Sequence, residues 1–236
     1  MTSFDIALSI SQKWHFIKRN FIVEKQFHGR YLFYRVARPI LKVNYKIFKA
    51  MHPLRPWTSQ ASISIFEALL KKDMTGFEYG SGNSTVFFAR HLGQLTSVEH
   101  HEQWFNIVKQ KLEQLNIVNV DYHFISPKPD TTSIVSFKDF PSVPPDFKIR
   151  NDYQDYFSFI TRFPINHFDF ILIDGRARVE CAMMAIPRLK PGGIFVLDNS
   201  DRSRYEPIFR HLKDWKMINT TTGLFDTTLW FKPKAS

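Results

Sequence analysis

The chain has 236 residues, of which 44% are hydrophobic and 23% charged, enough for one α/β domain with an extension and a core that needs no covalent staples. Its single cysteine, Cys181, excludes a disulfide framework and a cysteine-based metal site, and it fits a reducing compartment. The net charge of +10 is uneven, because residues 1–50 hold ten Lys/Arg and two Asp/Glu (+8) whereas residues 51–236 hold 22 and 20 (+2).

The basic charge is concentrated in residues 13–50, which mix bases with aromatic residues. The bases recur every three or four positions on one helix face, with apolar residues on the opposite side. The bases are Arg35, Arg38, Lys42, Lys46 and Lys49, and the apolar residues are Phe33, Ala37, Ile40, Leu41 and Phe48. Because Pro39 interrupts the pattern, we expect a helix to begin near it and not to run through it. Residues 1–56 are predicted to form a basic, aromatic helical extension of a domain at 57–236.

Three partners are open for residues 13–50. Their apolar face could pack on the following domain or on a second subunit in a homo-oligomer, with the bases in solvent. Alternatively, the bases could contact an anionic membrane surface or, as the least favoured alternative, the phosphates of nucleic acid. The sequence has no apolar run of about 18 residues and begins without the pattern of a secretory signal, so we expect a cytoplasmic location, with peripheral membrane contact as an alternative.

The elements alternate between helix and strand from residue 58 onward. Thr58 or Ser59 is predicted to cap a first helix. Strands are then predicted at 76–79, 94–99, 117–125, 168–174 and 194–199, and a closing hairpin at 216–222 and 227–232. Helices are predicted at 84–92, 101–115, 151–163, 178–190 and 203–214. This order predicts a Rossmann-like open twisted α/β sheet, mostly parallel with a C-terminal antiparallel strand and with helices on both faces. Such sheets bind ligands beyond the carboxyl ends of their strands.

The stretch FEYGSGNST (77–85) joins the first of these strands to a helix. Gly80 and Gly82 allow a ligand to approach the backbone closely, and Glu99 ends the next strand, where a carboxylate can accept hydrogen bonds from ribose hydroxyls. The loop and Glu99 together predict an adenosine site. Glu78 opposes a pyrophosphate but suits a cationic amino group, which favours S-adenosylmethionine over a nicotinamide dinucleotide.

Residues 57–232 resemble a class I S-adenosylmethionine-dependent methyltransferase. The resemblance is carried by FEYGSGNST, TSVEHHEQW, FDFILIDGRARVE, LKPGGIFVLDNSDR and the hairpin TTTGLFDTTLWF. It implies that the glycine loop contacts the methionine part of the cofactor, that the acid ending the second strand contacts ribose, and that the next residue lies near adenine. The cofactor-binding residues predicted in this way are Glu78, Gly80, Ser81, Gly82, Ser84, Thr85, Glu99 and His100.

Acidic residues also end the fourth and fifth predicted strands. Asp174, Asp198 and Asn199 form an oxygen-rich set suited to Mg²⁺ or another divalent cation, an arrangement similar to that of catechol-type O-methyltransferases. Without a metal, Asp174 or Asp198 could act as a general base, and both are predicted to be catalytic. Four arginines follow these strand ends and suit an acidic group, although a solvated role is the alternative: Arg176, Arg178, Arg202 and Arg204.

The predicted function is transfer of a methyl group from S-adenosylmethionine to a hydroxyl of a sugar, a glycan or another small acceptor. The pattern of IDGRAR and LDNSDR also resembles bacterial glycan-locus methyltransferases. The alternatives are a methyltransferase acting on RNA or another nucleic acid, and a non-catalytic module that binds adenosine. A lid over the site is predicted at the proline-rich residues 126–150, with a passive surface loop as the alternative.

Overall fold

The structure, a computed structural model, describes residues 1–13, 30–129, 137 and 140–234, with only the backbone described at 30–35. Several predictions therefore lie outside the described residues: those on 14–29, on the side chains of Phe33 and Arg35, and on 130–136 and 138–139 of the predicted lid. Within the described part of the chain, no helix combines the length and the hydropathy needed to cross a membrane.

Seven strands form one sheet in the order β3-β2-β1-β4-β5-β7-β6. The strands are β1 (Thr75–Tyr79), β2 (Gln94–Glu99), β3 (Val120–Phe124), β4 (Phe168–Ile173), β5 (Leu189–Asp198), β6 (Lys216–Thr221) and β7 (Asp226–Phe231). The pairs among β1 to β5 are parallel, and β7 is antiparallel to both β5 and β6. The predicted Rossmann-like α/β sheet with a C-terminal antiparallel strand is confirmed.

Helices cover both faces of the sheet, and the alternation of side chains along β4 shows why. Ile171 and Ile173 belong to one hydrophobic cluster and Phe170 and Leu172 to the other, and all four are buried. A strand that is covered on both faces is apolar at successive positions. The helices are α1 (Ser3–Lys13), α2 (Arg30–Met51), α3 (Gln60–Leu69), α4 (Asn83–His91), α5 (Glu102–Gln114), α6 (Gln154–Ser158), α7 (Arg178–Ala185) and α8 (Glu206–His211).

Short 3₁₀ turns flank three of these helices, at Asn151–Tyr153, Phe159–Arg162, Ile186–Arg188 and Ser203–Tyr205. The first two of these turns divide the long helix predicted at 151–163, which is a 3₁₀ turn, the short α6 and a second 3₁₀ turn. The predicted cap is confirmed at Ser59, whose side chain accepts a hydrogen bond from the backbone N–H of Ser62 at the start of α3.

Two boundary predictions were wrong. Helix α2 runs through Pro39, because one proline removes a single intrahelical donor and this proline is exposed, where water can hydrate the freed carbonyl. Strand β5 begins at Leu189, before the PGG that was expected to precede it. The early start is stabilised by pairing of Leu189 with Phe168 and by a hydrogen bond from Lys232 N to Gly193 O.

The first helix belongs to the same core as the sheet. Ala7 of α1 is fully buried in the cluster that contains Phe66 and Leu229, and Phe4 packs edge-on against Phe231 at a centroid distance of 5.5 Å. Helix α2 contacts this body through Tyr45 and Phe48. The division of the chain at residue 56 stays a prediction.

Candidate functional site

A cavity of about 760 Å³ opens at the carboxyl ends of β1, β2, β4 and β5. The strand order places β1 beside β4, so that the connections from these two strands leave in opposite directions and a crevice forms between them. Residues at or after the ends of all four strands line the cavity, together with Trp104 of α5 and with Phe147, Lys148 and Arg150. Its volume lies within the range of small-molecule sites, about 300–1,000 Å³.

Two glycines make the crevice narrow at its base. Gly80 has φ of +86°, a left-handed conformation, and a Cβ on it would lie 2.7 Å from the backbone of Gly175. A Cβ on Gly175 would in turn overlap the hydroxyl of Tyr156. The turns after β1 and β4 therefore touch backbone to backbone, and this contact requires glycine on both sides.

Glu99 is held at the end of β2 by four hydrogen bonds. Its Oε2 atom accepts from the backbone N and the hydroxyl of Ser81, each at 2.9 Å, and its Oε1 atom accepts from the backbone N of His100 and of His101 at 2.8 and 2.9 Å. Although burial raises the pKa of Glu99, hydrogen bonding to His100 and to these backbone donors lowers it to about 2. Glu99 is therefore a fixed carboxylate at neutral pH.

Glu78 lies beneath the glycine loop and not in the cavity wall. Its Oε2 atom accepts hydrogen bonds from Thr85 Oγ1 at 2.6 Å and Ser97 Oγ at 2.8 Å, and Thr85 Oγ1 accepts from the backbone N of Gly82 at 2.9 Å. Complete burial raises the pKa of Glu78 to about 7, against the opposing effect of nearby hydroxyls including Ser84. Glu78 thus orients the loop through Thr85, and its expected contact with a ligand amino group stays a prediction.

Two aromatic residues in the β1–β2 half of the cavity, the half that contains Ser81 and Glu99, were missed by the sequence analysis. Trp104 donates its indole N–H to the carbonyl of Ser81 at 2.7 Å, and the hydroxyl of Tyr122 lies 2.6 Å from the hydroxyl of Ser81. The HEQW of the helix after β2 places Trp104 five residues beyond Glu99, but that spacing is also typical of a helix that packs on its own sheet. Only the fold shows that Ser81 is held from both sides.

The β4–β5 half is organised around a buried arginine. The guanidinium of Arg178 donates to Asp174 Oδ1 at 2.8 Å, to the carbonyl of Asp174 at 2.6 Å, to the carbonyl of Gly175 at 2.9 Å, and to the carbonyl of Asp198. Asp198 is buried and satisfied by other groups, because its Oδ1 accepts from Thr227 Oγ1 and its Oδ2 from Asn199 Nδ2, both at 2.7 Å. Arg178 therefore ties together the ends of β4 and β5.

These two carboxyls have pKa values opposite in direction to that of Glu99. Burial raises the pKa of Asp198 well above its usual range, and the neighbouring Asp174 raises it further. Burial also raises the pKa of Asp174, while Arg178 opposes that rise. Asp174 is the member of this pair that lines the cavity.

The predicted metal set does not fit a metal ion. The cationic guanidinium of Arg178 contacts Asp174 Oδ1, which the predicted ion would need, and both oxygens of Asp198 accept hydrogen bonds from neighbours. Among the residues that the structure describes, no group of three or more His, Cys, Asp or Glu is placed to hold a metal. The expectation that Asp174, Asp198 and Asn199 bind a divalent cation is therefore not supported, because a buried arginine supplies the positive charge instead.

The backbone is strained at the same two strand ends. Ala177 and Asn199 have φ of 48° and 49°, the left-handed region that residues with a Cβ rarely adopt. Both line the cavity. Strain of this kind persists where surrounding contacts fix the backbone, as the hydrogen bonds of Arg178 do here.

The cavity brings together about half of the predicted site. Gly80, Ser81, Glu99, His100, Asp174 and Asn199 line it, as do all four arginines named from the sequence. Glu78, Gly82, Ser84, Thr85 and Asp198 lie behind the wall and support it. Cys181 is buried in the core.

Comparisons with known proteins identify the fold. No known family matches the sequence, and no curated protein matches it. A candidate rRNA-methylase from Clostridium thermocellum superposes with a TM-score of 0.52 at 12% identity, over 76% of this chain and 97% of that one. The chain has a Rossmann-like fold found among methyltransferases.

Two further solved structures are similar at lower scores. A candidate methyltransferase from Streptococcus mutans, in complex with S-adenosylhomocysteine, gives a TM-score of 0.49 at 14% identity over 71% of this chain and 93% of that one. A SAM-dependent methyltransferase from Aquifex aeolicus gives 0.45 at 14% identity over 80% and 96%.

Proposed function

We propose that the protein is an S-adenosylmethionine-dependent methyltransferase that methylates a hydroxyl of a small, anionic acceptor such as an acidic sugar or glycan. The observation that carries the proposal is Glu99, a carboxylate held ionised beside the Gly80–Ser81 turn at the point where the strand order reverses. Ligands of open α/β sheets bind at that point, and an acid at the end of the second strand suits ribose.

The residues present fit this cofactor. Gly80 and Ser81 line the cavity, where they can contact the methionine part, and Glu99 can accept ribose hydroxyls in place of the Ser81 hydroxyl. His100 lines the adenine side, its Nδ1 atom 3.0 Å from Glu99 Oε1. When bound, the cofactor supplies a methyl group on a sulfonium, which reacts with a nucleophilic oxygen.

Asp174 is the group best placed to accept the proton of an acceptor hydroxyl. It lines the cavity, its side chain is 33% exposed, and burial raises its pKa, which strengthens it as a base. Arg178 holds one of the carboxylate oxygens, Oδ1, and so orients the Asp174 carboxylate at the cavity wall. In the proposed transfer the hydroxyl oxygen would form the bond to the methyl carbon while the electron pair of the broken C–S bond stays on sulfur, and Asp174 would accept the hydroxyl proton.

The acceptor is proposed to be anionic because the cavity contains more cations than available carboxylates. Glu99 and Asp174 are engaged as described, and Glu180 accepts from the backbone N of Arg150 at 2.8 Å. By contrast, in the described part of the chain Arg202 and Arg204 donate hydrogen bonds to neutral groups, Asn199 Oδ1 and Tyr205 Oη, each at 3.1 Å, and both line the cavity with Arg176. Guanidinium groups bind carboxylates and phosphates through paired hydrogen bonds.

Calorimetric titration of S-adenosylhomocysteine and of NAD⁺ tests the cofactor. We expect micromolar binding of S-adenosylhomocysteine, no binding of NAD⁺, and loss of binding in Glu99→Ala but not in Glu102→Ala, a matched control on an exposed glutamate of α5. Binding of NAD⁺ alone, or equal effects of the two variants, would contradict the proposal.

Transfer of labelled methyl groups tests the acceptor. We expect turnover with uronic acids or hexose phosphates in preference to the matching neutral hexoses, and no dependence on a chelator. Asp174→Asn should lower kcat by about 10²–10⁴-fold while S-adenosylhomocysteine still binds. Transfer to RNA in place of sugars would refute the acceptor while leaving the cofactor intact.

A further inference from the structure

An apolar ridge runs along the outer side of α2. It consists of Val36, Ile40, Val43, Ile47 and Met51, spaced by three or four positions and therefore on one helix face. Between 52% and 80% of each residue is exposed, and none belongs to a core cluster of the described part of the chain. An isolated exposed apolar residue needs no explanation, but five in one row do.

Helix α2 is already anchored through a different face. Tyr45 packs edge-on against Phe225 at 5.3 Å, and Phe48 joins the cluster under α3. The ridge is thus not the side that attaches the helix to the sheet. Of the apolar residues grouped from the sequence, Phe48 faces the sheet, whereas Ile40 lies on the outer ridge, because packing through Tyr45 and Phe48 turns Ile40 outward.

The rest of the helix surface is basic. Arg38, Lys42 and Lys46 are exposed, and Lys49 lies over the ring of Trp57 at 4.6 Å. No aspartate or glutamate occurs between residues 25 and 66. Helix α2 therefore presents an apolar strip beside a purely cationic one. This composition is typical of helices that lie in the plane of an anionic lipid surface.

We infer that α2 binds the surface of a bilayer containing anionic lipids, with the ridge inserted among the acyl chains and the bases at the headgroups. The charges favour this occupant over a second copy of the chain, because a symmetric pairing of ridges would bring two acid-free basic strips together. They favour it over nucleic acid as well, because phosphate binding leaves the five ridge residues unexplained.

The position of α2 relates this surface to the cavity. Phe225 belongs to the turn that precedes β7, and Asp198, at the carboxyl end of β5, pairs with Thr227 of β7. At the other end of the helix, exposed Trp57 lies 6.3 Å from Trp104, which lines the cavity. Helix α2 therefore lies near the edge of the sheet onto which the cavity opens. The inference itself does not depend on the proposed function.

Co-sedimentation of the full chain with vesicles tests this surface. We expect binding to vesicles of equal parts phosphatidylcholine and phosphatidylglycerol, and little binding to phosphatidylcholine alone. Ile40→Gln combined with Ile47→Gln should weaken binding about tenfold or more by removing inserted apolar side chains. Lys42→Gln combined with Lys46→Gln should weaken it by a similar factor, and added salt should reduce the difference.

Matched controls are available elsewhere on the surface. Val118→Gln with Ile165→Gln removes two exposed apolar residues outside α2, and Lys109→Gln with Lys213→Gln removes two exposed lysines. Neither pair should change binding. Circular dichroism and urea unfolding would verify that every variant is folded.

Three results would overturn the inference. One is equal binding, or none, to the two kinds of vesicle. Another is a dimer, seen by sedimentation velocity, that the Ile40→Gln/Ile47→Gln variant dissociates while vesicle binding is unchanged. The third is loss of binding in the lysine variant alone, with an RNA oligonucleotide competing fully, which would indicate a phosphate-binding surface.

Discussion

The two halves of the cavity place carboxylates at equivalent positions and treat them in opposite ways. Glu99 ends β2, and Asp174 and Asp198 follow and end β4 and β5. Backbone N–H groups and His100 stabilise the charge on Glu99, whereas Asp198 is buried beside another carboxyl. The comparison shows that the position of an acidic residue is set by the strand it ends, whereas the pKa of its carboxyl is set by the groups around it.

The largest effect is expected from the arginine on which the β4–β5 half depends. Arg178→Met leaves Asp174 and Asp198 without their buried cation, so the free energy of unfolding should fall by about 3–5 kcal/mol at neutral pH, and by less at acidic pH where the carboxyls protonate. Urea unfolding measures the change. Arg176→Met, on an exposed arginine two residues earlier, should cost no more than about 0.5 kcal/mol. Equal losses would deny Arg178 a central role.

The opposite pKa shifts predict opposite dependences of stability on pH. Because the pKa of Glu99 falls from 4.5 to about 2 on folding, its contribution of about 3 kcal/mol is present above pH 4.5 and is lost as the pH falls toward 2. For Asp198 the folded pKa is raised above 3.8, so its contribution is present below pH 3.8 and is lost as the pH rises through the folded value.

Differences in unfolding free energy between the wild type and single variants isolate these contributions. The advantage of the wild type over Glu99→Gln should shrink as the pH falls, and its advantage over Asp198→Asn should shrink as the pH rises. Glu102→Gln serves as the exposed control. Slopes of the same sign for the two variants would show that the halves do not differ as described.

The contact between the halves is expected to tolerate no added atom. Gly175→Ala would place a methyl group against the hydroxyl of Tyr156, and we expect a loss of about 1–3 kcal/mol in unfolding free energy. Among the described residues the Tyr156 hydroxyl has no hydrogen-bond partner, so Tyr156→Phe should cost little and should restore part of the loss in the double variant. A double variant that is simply additive would place the strain elsewhere.

The smallest of these effects is expected from a single substitution in the β1–β2 half, at Trp104. Trp104→Phe removes the hydrogen bond to the carbonyl of Ser81, which should cost about 1 kcal/mol of stability and weaken S-adenosylhomocysteine binding by a few-fold. Trp57→Phe, on the neighbouring exposed indole, is the control for the stability change. An unchanged affinity in Trp104→Phe would mean that the Ser81 turn is fixed without the indole.

The sequence by itself determined the sheet, the glycine turn and the ends of most strands. These follow from local rules: apolar runs such as FDFILI predict buried strands, and the short stretch from Glu78 to Thr85 carries its own turn and cap. Glu99 was identified for the same reason, because the acid that ends β2 is recognisable from the strand alone.

Only the tertiary structure decided what the carboxylates do. The sequence could not show that the Arg178 guanidinium takes the place expected for a metal, or that Gly80 and Gly175 touch, because both arrangements depend on how the ends of neighbouring strands are brought together by the fold. The orientation of α2 was also beyond the sequence, because the periodicity of its apolar residues is compatible with either of two faces packing against the sheet. The contacts of Tyr45 and Phe48 with the sheet turned the apolar ridge toward solvent, since a helix packs through the face that offers the largest fit to its neighbours.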